Sequence, residues 1–285
     1  MLGKKGLNNF DLKYFALFFM VLDHIHYFFE FTGKIPLWFS QIGRLAAPLF
    51  LFCVIEGFVH THNRKRYFLQ MYSLSVGMGL VQFGFYNVLS EFVRKDGFFP
   101  QNMMLSSFAI LLVVLQGIAW LEEKKYLRGI VTTILPIILP WLFMSLYQMA
   151  SQSGNQWLSF SLSLINFTIL PLHTTISDGG TATLIVGIVM YLCRKSLKRE
   201  VLGFVLASLL VDLGRVFLLV PTMGLALTPD LLLFKAFEWM EIFAAPFMLA
   251  YNGERGRGPK WLFYIFYPAH IYLLYALSFF LYKGW

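Results

Sequence analysis

Residues Leu12–Phe31 read LKYFALFFMVLDHIHYFFEF, a run of twenty residues dominated by Leu, Phe and other apolar side chains. A helix of about this length crosses a bilayer core roughly 30 Å thick, because each residue rises about 1.5 Å. The run nevertheless contains Asp23 and His24. An ionisable group at bilayer depth costs at least ~2.5 kcal/mol, so each needs a partner or a function. The stretch therefore predicts a membrane-spanning helix that carries polar groups for a purpose.

Similar apolar runs recur along the whole chain, separated by short polar breaks. Of the 285 residues, 58% are hydrophobic and only 13% are charged, whereas a soluble domain carries roughly 25% charged residues. The sequence predicts an all-α polytopic membrane protein, a single domain over residues 1–285 with about nine transmembrane helices. The predicted spans are Leu12–Phe31, Ile42–His60, Tyr67–Ser90, Met103–Leu121, Leu127–Ala150, Gly179–Cys193, Val201–Thr222, Leu231–Tyr251 and Trp261–Tyr282.

A further apolar segment, Trp157–Leu172, would make a tenth span if it crossed the bilayer. Cytoplasmic loops collect Lys and Arg. With nine spans the basic clusters all fall on one side, whereas a tenth span would place those at Arg194 and Arg255 outside. We therefore predict that Trp157–Leu172 is re-entrant or lies along the outer surface, with a cytoplasmic N-terminus and an external C-terminus. The net charge of +8 reflects this orientation, so no nucleic-acid partner is expected.

Lys13 and His24 are eleven residues apart, which returns to within about 20° of the same helix face. One side of the first helix thus carries a cation near the cytoplasm and an imidazole about 16 Å deeper. An imidazole with an ordinary pKa near 6.5 can act as a general base at neutral pH. On spacing alone, a buried histidine that is hydrogen-bonded between helices is an equally good interpretation.

Asp23 lies about 100° from His24 around the helix, so it is better placed to meet a neighbouring helix than to orient His24. His24 and His26 are two residues apart, as are His60 and His62. Residues two apart point to opposite sides of a helix, so no metal site is expected.

Two groups of motifs near the ends of the chain resemble the TraX family. The N-terminal group comprises Met20–His24 (MVLDH), Ile42–Phe50 (IGRLAAPLF), Glu56–Thr61 (EGFVHT) and Asn63–Tyr67 (NRKRY). The C-terminal group comprises Tyr251–Gly256 (YNGERG) and Phe263–His270 (FYIFYPAH). The region between about Ser106 and Phe234 is similar mainly in hydropathy.

The resemblance implies membership of the transmembrane acyltransferases and a place in the bacterial cytoplasmic membrane. That group has an Arg, ten intervening residues and a catalytic His in the first span, with acetyl-CoA as donor. Lys13 and His24 have this spacing. Lys keeps the charge of Arg but loses its bidentate fork. The named family member acetylates the N-terminus of a conjugative pilin, but here the acceptor (a protein N-terminus, a glycan or a lipid) stays open, as does the acyl length.

These interpretations assign roles to a set of polar residues. The expected catalytic residues are His24 and Asp23; those expected to bind acyl-CoA are Lys13, Arg44, Arg64, Lys65 and Arg66; those expected to line the substrate pocket are Glu56, His60, Asn102, Asp178, Asn252 and His270. We expect the pocket to open to the cytoplasm, with His24 on its wall.

Two other functions fit a chain with polar residues in its spans. A transporter or flippase would line a path with buried charges, but such proteins often contain inverted repeats, which this sequence does not display. A non-catalytic membrane protein for surface assembly would not obviously need a lysine and a histidine aligned on one helix face. The sequence therefore favours an enzyme over both.

Overall fold

The computed structural model describes residues 5–222, 224 and 226–282, and this part of the chain is helical. Its only β-type pairing is an isolated bridge between Leu7 and Tyr251. The α-helices are α1 (Asn9–Phe29), α2 (Trp38–Gly43), α3 (Ala46–His60), α4 (Arg64–Asn87), α5 (Met104–Glu122), α6 (Tyr126–Gln152), α7 (Gln156–Phe167), α8 (Gly180–Cys193), α9 (Leu197–Thr222), α10 (Ala245–Leu249) and α11 (Lys260–Leu281).

Within the described residues, five helical segments are long and apolar enough to cross a membrane. They are Trp38–His60, Met104–Glu122, Tyr126–Gln152, Leu197–Thr222 and Trp261–Leu281. Only 17% of the most apolar stretch of Tyr126–Gln152 is buried inside the protein. Most of its surface is therefore suited to contact lipid. Large exposed side chains such as Leu127, Leu210 and Phe280 fit the same explanation. The chain is therefore a helical membrane protein.

Most predicted spans coincide with helices to within a few residues. The second predicted span, Ile42–His60, is interrupted, because α2 ends at Gly43 and α3 begins at Ala46. Segment 157–172 contains the short helix α7, whose 12 residues extend about 18 Å. That length is shorter than the bilayer core of roughly 30 Å, and the re-entrant or surface position of this segment stays a prediction.

The eighth predicted span, Leu231–Tyr251, differs from the prediction because it is not one helix. It folds as a π-helical turn (Leu231–Lys235), a 3-10 helix (Glu238–Ala244) and α10. Tertiary hydrogen bonds use its irregular backbone: Gln41 Nε2 donates to Leu233 O at 2.7 Å and Trp239 Nε1 donates to Leu232 O at 3.0 Å. The hydropathy of this segment reflects its apolar side chains. It does not show that backbone carbonyls accept hydrogen bonds from side chains elsewhere in the fold.

The chain divides into two compact units, which we describe separately. The first contains the described residues of Met1–Val59 and Ile185–Ser278, and the second those of His60–Leu184 and Phe279–Trp285. In the second unit, α5 and α6 pack closely through glycines. A Cβ at Gly117 would lie 2.7 Å from Thr133 N, and one at Gly129 would lie 2.9 Å from Leu121 N. Small residues of this kind let helix backbones approach each other in membranes.

The loop between α4 and α5, also in the second unit, is organised around Arg94, which is 6% exposed. Its guanidinium donates to both carboxylate oxygens of Asp96, at 3.1 and 2.5 Å. It also lies over the rings of Phe98 and Tyr282, with centroid distances of 4.2 and 4.8 Å. The hydrogen bond from Arg94 lowers the pKa of the Asp96 carboxyl. Arg94 therefore has a structural role in this loop.

Replacing Gly117 by Ala tests the close packing of α5 on α6. The added Cβ forces the helices apart, so we expect a loss of about 1–3 kcal/mol and a lower melting temperature in detergent. Gly77→Ala on α4 is the matched control, because a Cβ there meets nothing within 4 Å. Equal melting temperatures for the two variants would contradict the packing described here.

Candidate functional site

Helix α1, in the first unit, begins at a well-formed cap. The Asn8 side chain accepts from the backbone N–H groups of Phe10 and Asp11, at 2.9 and 3.2 Å, and Asp11 Oδ2 accepts from Asn8 N at 2.9 Å. This reciprocal arrangement satisfies N–H groups that the first helical turn would leave without partners. It fixes the start of the helix that carries Lys13 and His24.

Residues 250–254 run alongside the segment before α1 and hold it by backbone hydrogen bonds. Leu7 N donates to Ala250 O at 2.8 Å, Asn252 N to Leu7 O at 2.9 Å, and Asn9 N to Glu254 O at 2.9 Å. Gly6 adopts φ +128°, and a Cβ there would lie 2.6 Å from Ala250 O. The segment thus anchors the start of α1.

The Asn252 side chain belongs to this anchor. Its Nδ2 donates to Gly6 O at 3.3 Å, and its Oδ1 accepts from Glu254 N at 2.8 Å. Asn252 thus helps to hold the start of α1, and its expected place in a substrate pocket stays a prediction.

His24 and His270 form a hydrogen-bonded pair between α1 and α11. His24 Nδ1 lies 2.6 Å from His270 Nε2, and each residue is only 7% exposed. The rings of Tyr27 and Phe28 lie about 6 Å from the His24 ring. His24 is therefore largely covered by His270 and aromatic side chains, and its place on the wall of a pocket open to the cytoplasm stays a prediction.

Asp23 turns away from His24 and binds the start of the next helical segment, as the helical spacing predicted. Its carboxylate forms an ion pair with Arg44 and accepts a hydrogen bond from Ser40 Oγ at 2.8 Å. The packing is close, since a Cβ at Gly43 would lie 2.9 Å from Asp23 Cα. Asp23, expected to be catalytic, and Arg44, expected to bind phosphate, thus form an ion pair with each other.

Further carboxylates surround Arg44. Asp212 on α9 and Glu241 in the 3-10 helix both interact with it electrostatically. Among the described residues, Asp212 Oδ2 is buried without a hydrogen-bond partner. Arg44 is therefore a central cation among several acidic groups.

A second polar layer lies about 16 Å along α1 from His24. The Lys13 ammonium lies over the rings of Phe10 and Phe263, 5.6 and 5.3 Å from their centroids. Glu56, on α3, is hydrogen-bonded to the Tyr251 hydroxyl and interacts electrostatically with Glu200, which is 2% exposed. Glu56 is therefore in a polar cluster at the α3 end of the first unit.

The remaining predicted site residues are in the second unit. Arg64, Lys65 and Arg66 form the first turn of α4, where Asn63 caps the helix by accepting from Arg66 N at 2.8 Å. An open groove of about 760 Å³ follows α4, and its lining residues are Asn63, Lys65, Arg66, Leu69, Gln70, Tyr72, Ser73 and Val76. It combines a basic end with apolar walls.

Asp178, which is also expected in the substrate pocket, caps α5. Its two carboxylate oxygens accept from Met103 N at 2.7 Å and Met104 N at 3.1 Å. These N–H groups at a helix start need an acceptor, and a carboxylate is favoured there. Asn102 is half-buried just before this cap, and His60 is exposed at the end of α3.

Three participants in the first unit were not anticipated from the sequence: Ser40, which holds Asp23; Tyr251, which holds Glu56; and Glu200. Nothing in their spacing distinguishes them from ordinary polar residues near helix ends. Ser40 is four residues before Arg44, the one signal that could have linked them, because residues four apart share a helix face.

The family described as TraX protein matches residues 9–278 of this chain, which include α1 to α10 and most of α11. The chain belongs to the TraX family. A relative from Dichelobacter nodosus, "Probable fimbrial assembly protein FimC, serogroup H1", is 26% identical over 281 residues, covering 95% of this chain and 96% of the relative. No solved structure matches the chain significantly.

The TraX motifs at the two ends of the chain meet in the first unit. The YNGERG segment supplies the backbone that holds the start of α1, and the FYIFYPAH segment supplies Phe263 and His270. Two contacts join N-terminal motifs to C-terminal ones: His24 with His270, and Glu56 with Tyr251.

Arg44→Gln should lower stability more than Asp23→Asn. Loss of Arg44 leaves Asp23, Asp212 and Glu241 without their shared cation, whereas loss of the Asp23 charge leaves Arg44 other acidic neighbours. We expect about 1–3 kcal/mol for Arg44→Gln, between the values for exposed and buried ion pairs. Thermal unfolding in detergent measures it, with the exposed Lys34→Gln as control. The opposite order would show that Asp23 is the central charge.

Proposed function

We propose that this chain is a membrane-embedded acyltransferase that moves an acetyl or other acyl group from cytoplasmic acyl-CoA to an acceptor amine or hydroxyl. The observation that carries the proposal is the position of His24. It is buried on α1, is hydrogen-bonded to His270, and lies eleven residues after Lys13 on nearly the same helix face. This spacing matches the one that the acyltransferase resemblance assigns to the catalytic histidine.

In the proposed reaction, His24 removes the proton from the acceptor nitrogen or oxygen as that atom attacks the thioester carbonyl. The new bond to the acyl carbon forms, the carbon–sulfur bond breaks, and the CoA thiolate leaves. The proton on His24 then returns to that thiolate, so the histidine is regenerated. A positioned acid–base group of this kind contributes a factor of about 10²–10⁴.

Acyl-CoA brings several phosphates, which basic side chains bind through charge-assisted hydrogen bonds. Lys13 on α1, in the same unit as His24, is the proposed phosphate ligand. Arg44 is left out of this role because Asp23 engages its guanidinium. Since His24 is only 7% exposed, turnover requires nearby side chains to move and admit the thioester.

We further propose nine spans in the bacterial cytoplasmic membrane, with the N-terminus cytoplasmic. Contacts between α1 and α11 support this topology. Phe263 is near Lys13, His270 near His24, and Tyr275 near Phe28, so the two helices run in the same direction. First and last spans that are parallel imply an odd number of crossings.

A reporter fused at the C-terminus should therefore be external, and one inserted in the loop that follows Cys193 should be cytoplasmic. The physical reason is the parallel course of α1 and α11 together with the Lys and Arg residues of that loop. Paired cytoplasmic and periplasmic reporters measure both positions. A cytoplasmic C-terminus would require an even number of spans and would contradict the topology.

The relative named as a probable fimbrial assembly protein suggests that the acceptor is a component of a surface fibre. The same name favours a second candidate function, a non-catalytic membrane protein of fimbrial assembly. Burial of His24 against His270 also suits that role, since a hydrogen-bonded pair can join two helices without any chemistry. The next experiment separates the two.

His24→Ala should reduce acyl transfer about a hundredfold or more while the protein still binds acetyl-CoA. Lys13→Ala should weaken acetyl-CoA binding more than it slows transfer, because it lies about 16 Å from the imidazole. Purified protein, labelled acetyl-CoA and a cell-envelope extract measure transfer, and His26→Ala on the same helix is the control.

Normal transfer by a folded His24→Ala protein would overturn the proposed mechanism. A wild-type protein that neither binds acetyl-CoA nor labels any envelope component would favour the assembly role instead. Loss of folded protein, without a change in transfer per folded molecule, would identify His24 as a purely structural residue.

A further inference from the structure

The hydrogen bonds of His270 determine which of its nitrogens carries hydrogen. His270 Nδ1 lies 2.7 Å from the backbone oxygen of Phe266. A carbonyl oxygen can only accept, so Nδ1 must carry the hydrogen and donate it. In a neutral imidazole the other nitrogen then has a lone pair and accepts. His270 Nε2 is therefore an acceptor as long as the ring is neutral.

The burial of the pair favours neutral rings. Both residues are 7% exposed, and the rings that surround them are aromatic: Tyr27 and Phe28 near His24, Phe266 and Tyr267 near His270. Burial in apolar surroundings disfavours the charged form of an imidazole. Neutral His270 is thus the form that these surroundings stabilise.

The contact between the two histidines is a true edge-to-edge hydrogen bond. Their planes differ by 14°, and His24 Nδ1 is 2.6 Å from His270 Nε2. Rings stacked face to face cannot bring two nitrogens this close, so an N–H group must lie between them. Because His270 Nε2 is the acceptor, His24 Nδ1 is the donor.

We infer that His270 is a positioning residue that holds His24 as the Nδ1–H tautomer, so that Nε2 is the basic nitrogen. The chain of donors runs from His24 Nδ1–H to His270 Nε2, and from His270 Nδ1–H to Phe266 O. When His24 Nε2 takes a proton, the resulting imidazolium keeps its Nδ1–H bond to His270. A neutral imidazole thus performs the orienting role that a carboxylate has in a Ser-His-Asp triad.

Asp23 cannot perform this role in the described structure, although it is adjacent to His24 in sequence. Its carboxylate is engaged by Arg44 and Ser40. The orienting group therefore comes from the opposite end of the chain, 246 residues away. As a role in acyl transfer, this inference rests on the proposed function, but the tautomer itself can be observed without any reaction.

Nitrogen-15 NMR of the detergent-solubilised full chain, with labelled histidine, reports the tautomer directly. Comparison of the wild type with His24→Ala assigns the His24 signals. We expect the Nδ1–H form of His24 in the wild type and its loss in His270→Ala. His270→Gln should largely retain it, because the amide oxygen can accept from His24 Nδ1–H. His26→Gln, a change at another buried histidine of α1, should leave the tautomer unchanged.

Acyl-transfer kinetics on the same variants test the role in the reaction. We expect kcat to fall on the order of a hundredfold in His270→Ala, with partial rescue in His270→Gln and little change in the KM for acetyl-CoA. Thermal melting of each variant in detergent separates these effects from loss of folding, and His24 tautomers are compared only among folded variants.

A wild-type His24 that is mainly Nε2–H, or an imidazolium at neutral pH, would overturn the inference. So would an unchanged tautomer and unchanged kcat in a folded His270→Ala protein. The Nδ1–H form in a wild type that transfers no acyl group would instead leave the donor chain intact and refute the proposed function, so the two failures are distinguishable.

Discussion

The ion pair between Asp23 and Arg44 is the interaction on which the first unit depends. A charge at membrane depth is tolerated only when its partners satisfy it. Arg44, which directly follows α2, is satisfied by the carboxylate of Asp23 on α1. The break between α2 and α3 occurs at this position. The guanidinium thus neutralises a carboxylate on α1 and, with the small residue Gly43, sets how closely the two segments approach.

Once α1 is fixed from that side, the other contacts follow along its length. The 250–254 segment holds its start, the Lys13 ammonium lies between rings of α1 and α11, and the histidine pair joins the same two helices at a deeper level. These contacts use four different parts of the chain. The helix that carries the proposed base is therefore held over most of its length, as precise positioning of a catalytic group requires.

The sequence was sufficient to predict most helices and the separation of Asp23 from His24, because both depend on short-range periodicity. It predicted neither the broken segment at 231–249 nor the cap formed by Asp178, because both depend on backbone groups that find partners far away along the chain. His270 was expected near the substrate, but its bond to His24 spans 246 residues and leaves no local pattern. The burial of His24 was one of the two interpretations that its spacing allowed, but its partner could not be named because it comes from the far end of the chain.

The two helices joined by the histidine pair, α1 and α11, are synthesised at different times. A ribosome adds roughly 5–20 residues per second, so the 246 residues between His24 and His270 correspond to roughly 12–50 s of synthesis. Throughout that interval the nascent first helix is in the membrane without its final partner, and its polar groups must be shielded by earlier segments or by the insertion machinery. A chain that stops short of its last helix would hold a complete Asp23–Arg44 pair and a His24 imidazole without its hydrogen-bond partner.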